Sequence, residues 1–172
     1  MPTPTPLATG PAVPAGVTGA RVTRRFPAPA RTAFAALTDA RNHARWVPQT
    51  RVRTDGPPRR GSVVEAVSGP FARFGAPGLP DRMTITRYER PGGEAAGAAP
   101  GVAVFAKHGP LLLGEATIRV EPVDDASCLV TWEERVPLAG PLPGALTSRL
   151  TAPALALMLR VVLARAAREL AV

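Results

Sequence analysis

Few side chains in this 172-residue chain could move a proton or hold a metal. The histidines are His43 and His108, the single cysteine is Cys128 and the single tyrosine is Tyr88. His108 ends the alternating segment VAVFAKH (102–108), beside Gly109 and Pro110, where a side chain can reach into a pocket. An ordinary imidazole pKa suits it to general acid or base work. A lone histidine at a strand end is also commonly just solvated, and His43, in a polar helical turn, reads as solvated. Glu134 and Glu65 are carboxylates on strand-like segments, and the Tyr88 phenol could donate to a ligand carbonyl. None of the four candidates, His108, Glu134, Glu65 and Tyr88, has an acid/base partner at a recognisable spacing.

Other chemistries are set aside by what is missing. One cysteine allows neither an intramolecular disulfide nor a cysteine-based metal site. Two histidines without carboxylates at ligand spacing predict no metal. No GxGxxG opens a helix, no Walker-type glycine loop occurs and there is no GxSxG elbow, so no redox or phosphate-binding cofactor is expected. The formal charge of +8 suggests nucleic acid, but of 21 basic residues only Lys107 is lysine, and the arginines are scattered. Arg24 and Arg25, Arg51 and Arg53, Arg59 and Arg60, and Arg149, Arg160, Arg165 and Arg168 form no run of five like charges, so no nucleic-acid partner is expected.

The elements that must position these residues follow from pattern. Residues 1–19 are Pro, Thr, Ala and Gly with little to bury, and read as a flexible tail before a single domain over 20–172. A chain this long buries roughly 70% of its unfolded surface, and 45% apolar residues exclude wholesale disorder. ARVTRRF (20–26) predicts a strand; Pro29 suits a helix first turn, with Ala33, Phe34 and Leu37 at helical spacing. Asp39 can cap a second short helix that runs to Trp46 and ends at Pro48. Strands follow at 49–56, 62–69, 81–90, 102–108, 111–123 and 127–138, with Gly/Pro-rich breaks at 69–80 and 92–101. In 81–90, alternation sets Met83 and Ile85 on one face and Thr84, Thr86 and Tyr88 on the other. On 62–69, Glu65 lies between Val63 and Val67, opposite Val64 and Ala66, and either face can be the inner one. Residues 145–170 form one helix, with Leu155, Met158, Leu159, Val162, Leu163, Ala166 and Leu170 in one sector and the arginines opposite; Pro153 kinks it or starts its main body.

These elements describe an α+β domain: a strand, two short helices, about six more antiparallel strands and a long amphipathic C-terminal helix. One helix covers a curved sheet incompletely and leaves a cavity. The stretch RVTRRFPAPARTAFAALTDARNHARWVP (21–48), the strand GSVVEAV (61–67) and the paired strands IRVEPVDDASCLVTWEERV (118–136) before a closing helix carry a resemblance. The chain resembles the SRPBCC group, the START and Bet v 1-like helix-grip proteins, in their bacterial polyketide cyclase/dehydrase-like branch, over roughly residues 20–170. It departs from them in the long 69–80 loop and the 92–101 insert.

The resemblance implies a helix-grip fold, a curved antiparallel sheet of six to seven strands wrapped around the C-terminal helix. It places Cys128, Val130 and Trp132 on the inward face, to which alternation adds Glu134. Leu129, Thr131, Glu133 and Arg135 then face out. The expected cavity wall is Trp46, Met83, Ile85, Phe105, Ile118, Val130, Trp132, Met158 and Val162, with Phe71 and Phe74 either a lid over it or side chains that pack their loop onto the body. The expected function is binding of a small to medium hydrophobic molecule, lipid or polyketide-like, without cofactor or metal. An aromatase/cyclase-type enzyme using His108 or Glu134 is the alternative, and a peripheral membrane or assembly factor docking through the arginine-bearing helix a third. The N-terminus lacks a signal-peptide pattern and no stretch of about 18 uninterrupted apolar residues occurs, so a cytoplasmic monomer or homodimer is expected.

Overall fold

A computed structural model describes residues 16–47, 49–137 and 140–171. Most of the expected tail, Pro48, and the end of the last expected strand at Leu138 lie outside the described residues. Residues 16–19 are described, and the Thr18 N–H donates to Ser148 Oγ at 3.1 Å.

Seven strands form one antiparallel sheet: β1 (Ala20–Phe26), β2 (Thr50–Thr54), β3 (Val63–Ser68), β4 (Leu79–Glu89), β5 (Gly101–Pro110), β6 (Leu113–Asp124) and β7 (Ser127–Arg135). Their order is β1-β7-β6-β5-β4-β3-β2, so the chain meanders from β2 to β7 and only β1 joins out of sequence. The helices are α1 (Ala30–Thr38), α2 (Ala40–Trp46) and α3 (Gly144–Glu169), and a 3-10 turn spans Ala72–Phe74. The sheet curls into a half-barrel around α3, which is the helix-grip fold the sequence predicts.

Local chemistry explains the boundaries. Asp39 breaks α1 from α2: its extended backbone ends the first helix, and its carboxylate accepts the Arg41 N–H at 3.1 Å as the second begins. The third helix keeps Pro153 in its interior, and its first turns carry exposed leucines: Leu146 and Leu150, the latter 70% exposed. From Leu159 onward the helix turns Leu159, Val162, Leu163 and Ala166 into the core. Among the described residues α3 is one helix long and apolar enough to cross a membrane, with mean hydropathy 1.6 over its best window. Here it packs on β1, β7 and α2.

The inner face of the sheet is divided. One half is covered by α1, whose Ala33, Phe34 and Leu37 are fully buried against β5, β6 and β7. There Phe26, Ile118, Val120 and Val130 are buried to 0% exposure. The other half, toward β2–β4, is faced by α2, which packs on β2, and by the middle of α3 from Thr151 to Val162, with a space left between.

Two departures from simple alternation matter. Register shifts interrupt the β4–β5 pairing between Asp81 and Met83 and between Ile85 and Arg87. A bulge inserts an extra residue and so reverses the facing of the residues beyond it. Tyr88, expected opposite Ile85, therefore pairs with the buried Ala103 and packs on Phe34 with ring centroids 5.2 Å apart. Thr131, expected to face out, does so, but it is buried by its neighbour Thr23, with the two hydroxyls 3.0 Å apart.

Candidate functional site

The uncovered half of the inner face is a cavity of about 380 Å³, within the roughly 300–1,000 Å³ of small-molecule sites. Period-two facing supplies its walls. Val64, Ala66 and Ser68 come from β3, Asp81 and Met83 from β4, Phe105 and Lys107 from β5, and Trp132 and Glu134 from β7. The third helix adds Leu155, Met158 and Val162, and α2 adds His43. The open question on β3 is thereby answered: Val64 and Ala66 point in, and Glu65 points out to Arg82, 3.6 Å away.

Lys107, Asp81 and Glu134 meet in this wall. Lys107 Nζ lies 2.5 Å from Asp81 Oδ2 and 3.8 Å from Glu134 Oε2, with the three side chains only 5%, 12% and 8% exposed. Glu134 Oε1 accepts the Trp132 indole N–H at 3.2 Å. Asp81 Oδ1 is buried without a hydrogen-bond partner among the described residues. Burial alone would strip the charge from Lys107, but the neighbouring Glu134 and Asp81 carboxylates outweigh it and hold its pKa above the ordinary 10.5. The amine is therefore an ammonium at neutral pH. Burial raises Glu134 above 4.5; Lys107 opposes the shift and Asp81 adds to it.

His43 occupies the α2 wall, with ring centroids 5.2 Å from Trp132 and 6.0 Å from Trp46. Its Nε2 is 2.7 Å from the Leu37 carbonyl, which can only accept, so Nε2 carries the proton and Nδ1 is bare in the neutral ring. Burial holds its pKa below 6.5, the Leu37 bond opposes this, and the Lys107 charge reinforces it. Beyond it, α2 is tied to the end of α3. Trp46 Nε1 donates to Glu169 Oε2 at 2.7 Å, Arg45 Nη2 to Glu169 Oε1 at 2.5 Å, and Arg165 Nη1 to the Trp46 carbonyl at 3.0 Å.

Of the residues expected in the cavity, Met83, Phe105, Trp132, Glu134, Met158 and Val162 line it. Ile118 and Val130 face inward but sit where α1 fills the space, so they are core. Trp46 is 1% exposed and belongs to the α2–α3 tie, and the buried Ile85 lies by Thr38 and Asp39 at the junction of α1 and α2. Phe71 and Phe74 stand in solvent, 66% and 73% exposed around the 3-10 turn, and do not cover the cavity. His108 is on the outer face of β5, exposed, with Nε2 3.0 Å from Thr84 Oγ1. Strand alternation explains the difference: Phe105 faces in, so Lys107 does too and His108 cannot.

Lys107 and Asp81 are charged wall residues that sequence reasoning passed over, and His43, expected to be solvated, instead lines the cavity because its ring packs on Trp132 and bonds the Leu37 carbonyl. Each had a signal. Lys107 is the only lysine among 21 basic residues and stands two positions from Phe105. Asp81 precedes Met83 by two, and His43 precedes Trp46 by one helical turn. Their joining across β4, β5 and α2 depends on register, which no single segment displays.

Comparisons with known proteins agree with this architecture. The solved structure of TTHA0849 from Thermus thermophilus is 13% identical, with TM-score 0.61 over 89% of this chain and 97% of that one. A START superfamily protein from Mycobacterium smegmatis is 14% identical, with TM-score 0.57 over 88% and 98%. A truncated norcoclaurine synthase from Thalictrum flavum is 12% identical, with TM-score 0.57 over 89% and 92%. At such identities these likenesses speak to fold. No curated protein matches the chain in sequence. The family model for polyketide cyclase / dehydrase and lipid transport matches residues 18–171, and together with the helix-grip architecture this places the chain in that family, within the SRPBCC (START and Bet v 1-like) group.

Proposed function

We propose that the protein binds a small to medium apolar molecule in the cavity between the sheet and α3. The observation that carries this reading is the cavity itself: about 380 Å³ walled mainly by apolar side chains, beside a core that is closely filled under α1. Apolar burial supplies affinity, and the few polar groups fix orientation. Binding of N-phenyl-1-naphthylamine, a neutral dye that brightens in apolar surroundings, tests it. The expected result is saturable binding by the parent protein and its loss in Leu155→Trp, which fills the cavity from the helix side. Equal binding by both proteins would show that the dye sits elsewhere.

One arrangement favours a second reading, a cyclase-type enzyme: the 3.8 Å approach of Lys107 Nζ to Glu134 Oε2. Glu134 as carboxylate can take a proton from the carbon next to a ketone. The C–H electron pair then forms the C=C bond of an enolate as the C=O π pair moves onto oxygen, which the Lys107 ammonium stabilises. Attack of that enolate on a second carbonyl of the same molecule forms the ring bond. The new alkoxide takes up the proton that Glu134 holds. Deuterium exchange at the methyl group of 2-acetylnaphthalene reports the first step without the true substrate. Exchange faster than in buffer and lost in Glu134→Gln supports the reading; exchange at the buffer rate removes it.

A further inference from the structure

The charges in the cavity wall are unequally matched. Among the described wall residues Lys107 is the single permanent cation, and it already holds Asp81 at 2.5 Å and has Glu134 at 3.8 Å. Asp81 Oδ1 is buried with no donor among the described residues, so the cluster is short of protons and has electron pairs to spare. The remaining polar wall groups, Thr50, Ser68, Thr151 and the neutral ring of His43, carry no charge. A ligand carboxylate entering this wall would be a third carboxylate around one ammonium, stripped of water. Such a charge is costly to bury unless it gains a partner of its own. A neutral oxygen meets no such opposition. Nζ has three N–H groups, and Asp81 takes one of them.

We infer that the cavity selects apolar molecules bearing a neutral carbonyl or hydroxyl oxygen, accepted onto Lys107 Nζ, and turns away carboxylates of the same shape. This rests on the cavity-binding reading above and deepens it. It separates a ketone, alcohol or phenol ligand from an ionised fatty or aromatic acid. The residues responsible are Asp81 and Glu134, which spend the positive charge of Lys107 before any ligand arrives. They act by charge, so their neutral isosteres are the natural probes.

Three ligands on one scaffold test it: 2-acetylnaphthalene, 2-ethylnaphthalene and 2-naphthoate, each displacing N-phenyl-1-naphthylamine near neutral pH. In the parent protein the ketone is expected to bind about tenfold more tightly than the ethyl compound, as suits a hydrogen bond from a charged donor. The carboxylate is expected to bind at least about tenfold more weakly than the ketone. In Asp81→Asn or Glu134→Gln, either of which serves if circular dichroism shows it folded, the carboxylate should close most of that gap. Naphthoate binding as tightly as the ketone in the parent protein overturns the charge selection while leaving the cavity reading intact. An unchanged rank order and gap in both variants also overturns it. Failure of the dye itself to bind overturns the cavity reading and this inference together.

Discussion

Replacing Lys107 by methionine keeps a long unbranched side chain and removes only the charge that two buried carboxylates share. Asp81 and Glu134, 12% and 8% exposed, would then face each other with no cation between them. Breaking a buried ion pair by removing one partner costs about 3–5 kcal/mol. The lower end applies here, because Glu134 can take up a proton. A loss of about 3 kcal/mol corresponds to a fall in Tm of roughly 6–12 °C at this chain length. The loss must also depend on pH. Burial raises the folded pKa of Glu134 above 4.5, so the folded state holds that proton more firmly than the unfolded chain does. Stability therefore falls as pH rises from 4.5 through the folded value and levels off above it. Lys107 is what restrains that shift, so its removal pushes Glu134 higher and widens the window. Urea unfolding followed by the fluorescence of Trp46 and Trp132 should show a smaller deficit at about pH 5 than at about pH 7.5. Adding Asp81→Asn to the variant should recover part of the loss, the signature of coupled sites. A deficit under about 1 kcal/mol near neutral pH, or one equal at both pH values, would refute the electrostatic account of this cluster.

Other elements carry their own expectations. Glu169→Ala frees the Trp46 indole N–H and breaks the Arg45 pair; solvent screens that pair, whose side chains are 54% and 41% exposed, so the loss is about 1 kcal/mol, read by thermal unfolding. Arg45, then Trp46, hold Glu169 below its ordinary 4.5, so in the parent protein this contribution is present above 4.5 and fades as pH falls through the folded value. Gly114 has φ +112°, and a Cβ there would overlap the Arg135 carbonyl oxygen, so Gly114→Ala should cost more than about 1 kcal/mol in denaturant unfolding. Burial first, then the Glu94 and Asp124 carboxylates, push the Cys128 thiol up to about 11. A disulfide reagent should label it in guanidinium but not in the native protein at neutral pH.

The fold was legible because its signals are local. Pro29 before α1, Asp39 between two helices and the alternation of β5–β7 each act within a few residues, and the elements formed near the places they predict. The site was half legible. Trp132 and Glu134 follow from the facing of one strand, and Met158 and Val162 from one helix sector. Ile118 and Val130 have the same inward facing, yet α1 settles over them, and only the packed arrangement tells a wall from a core. His108 drew attention as an imidazole, whereas the alternation starting at Phe105 points to Lys107. The lone lysine entered the sequence reading only in the count of basic residues, because its partners Asp81 and Glu134 lie 26 and 27 residues away in sequence. Tyr88 changed face through a bulge that no residue in 81–90 announces.

Two methionines report directly on whether an apolar ligand enters the space between the sheet and α3. The chain has three, and Met83 on β4 and Met158 on α3 line the cavity from opposite walls. In protein carrying 13C-labelled methionine methyl groups, titration with 2-acetylnaphthalene should move the Met83 and Met158 signals together, along one saturable curve. A saturable ligand that moves neither signal would contradict the account, because it would place binding outside the cavity.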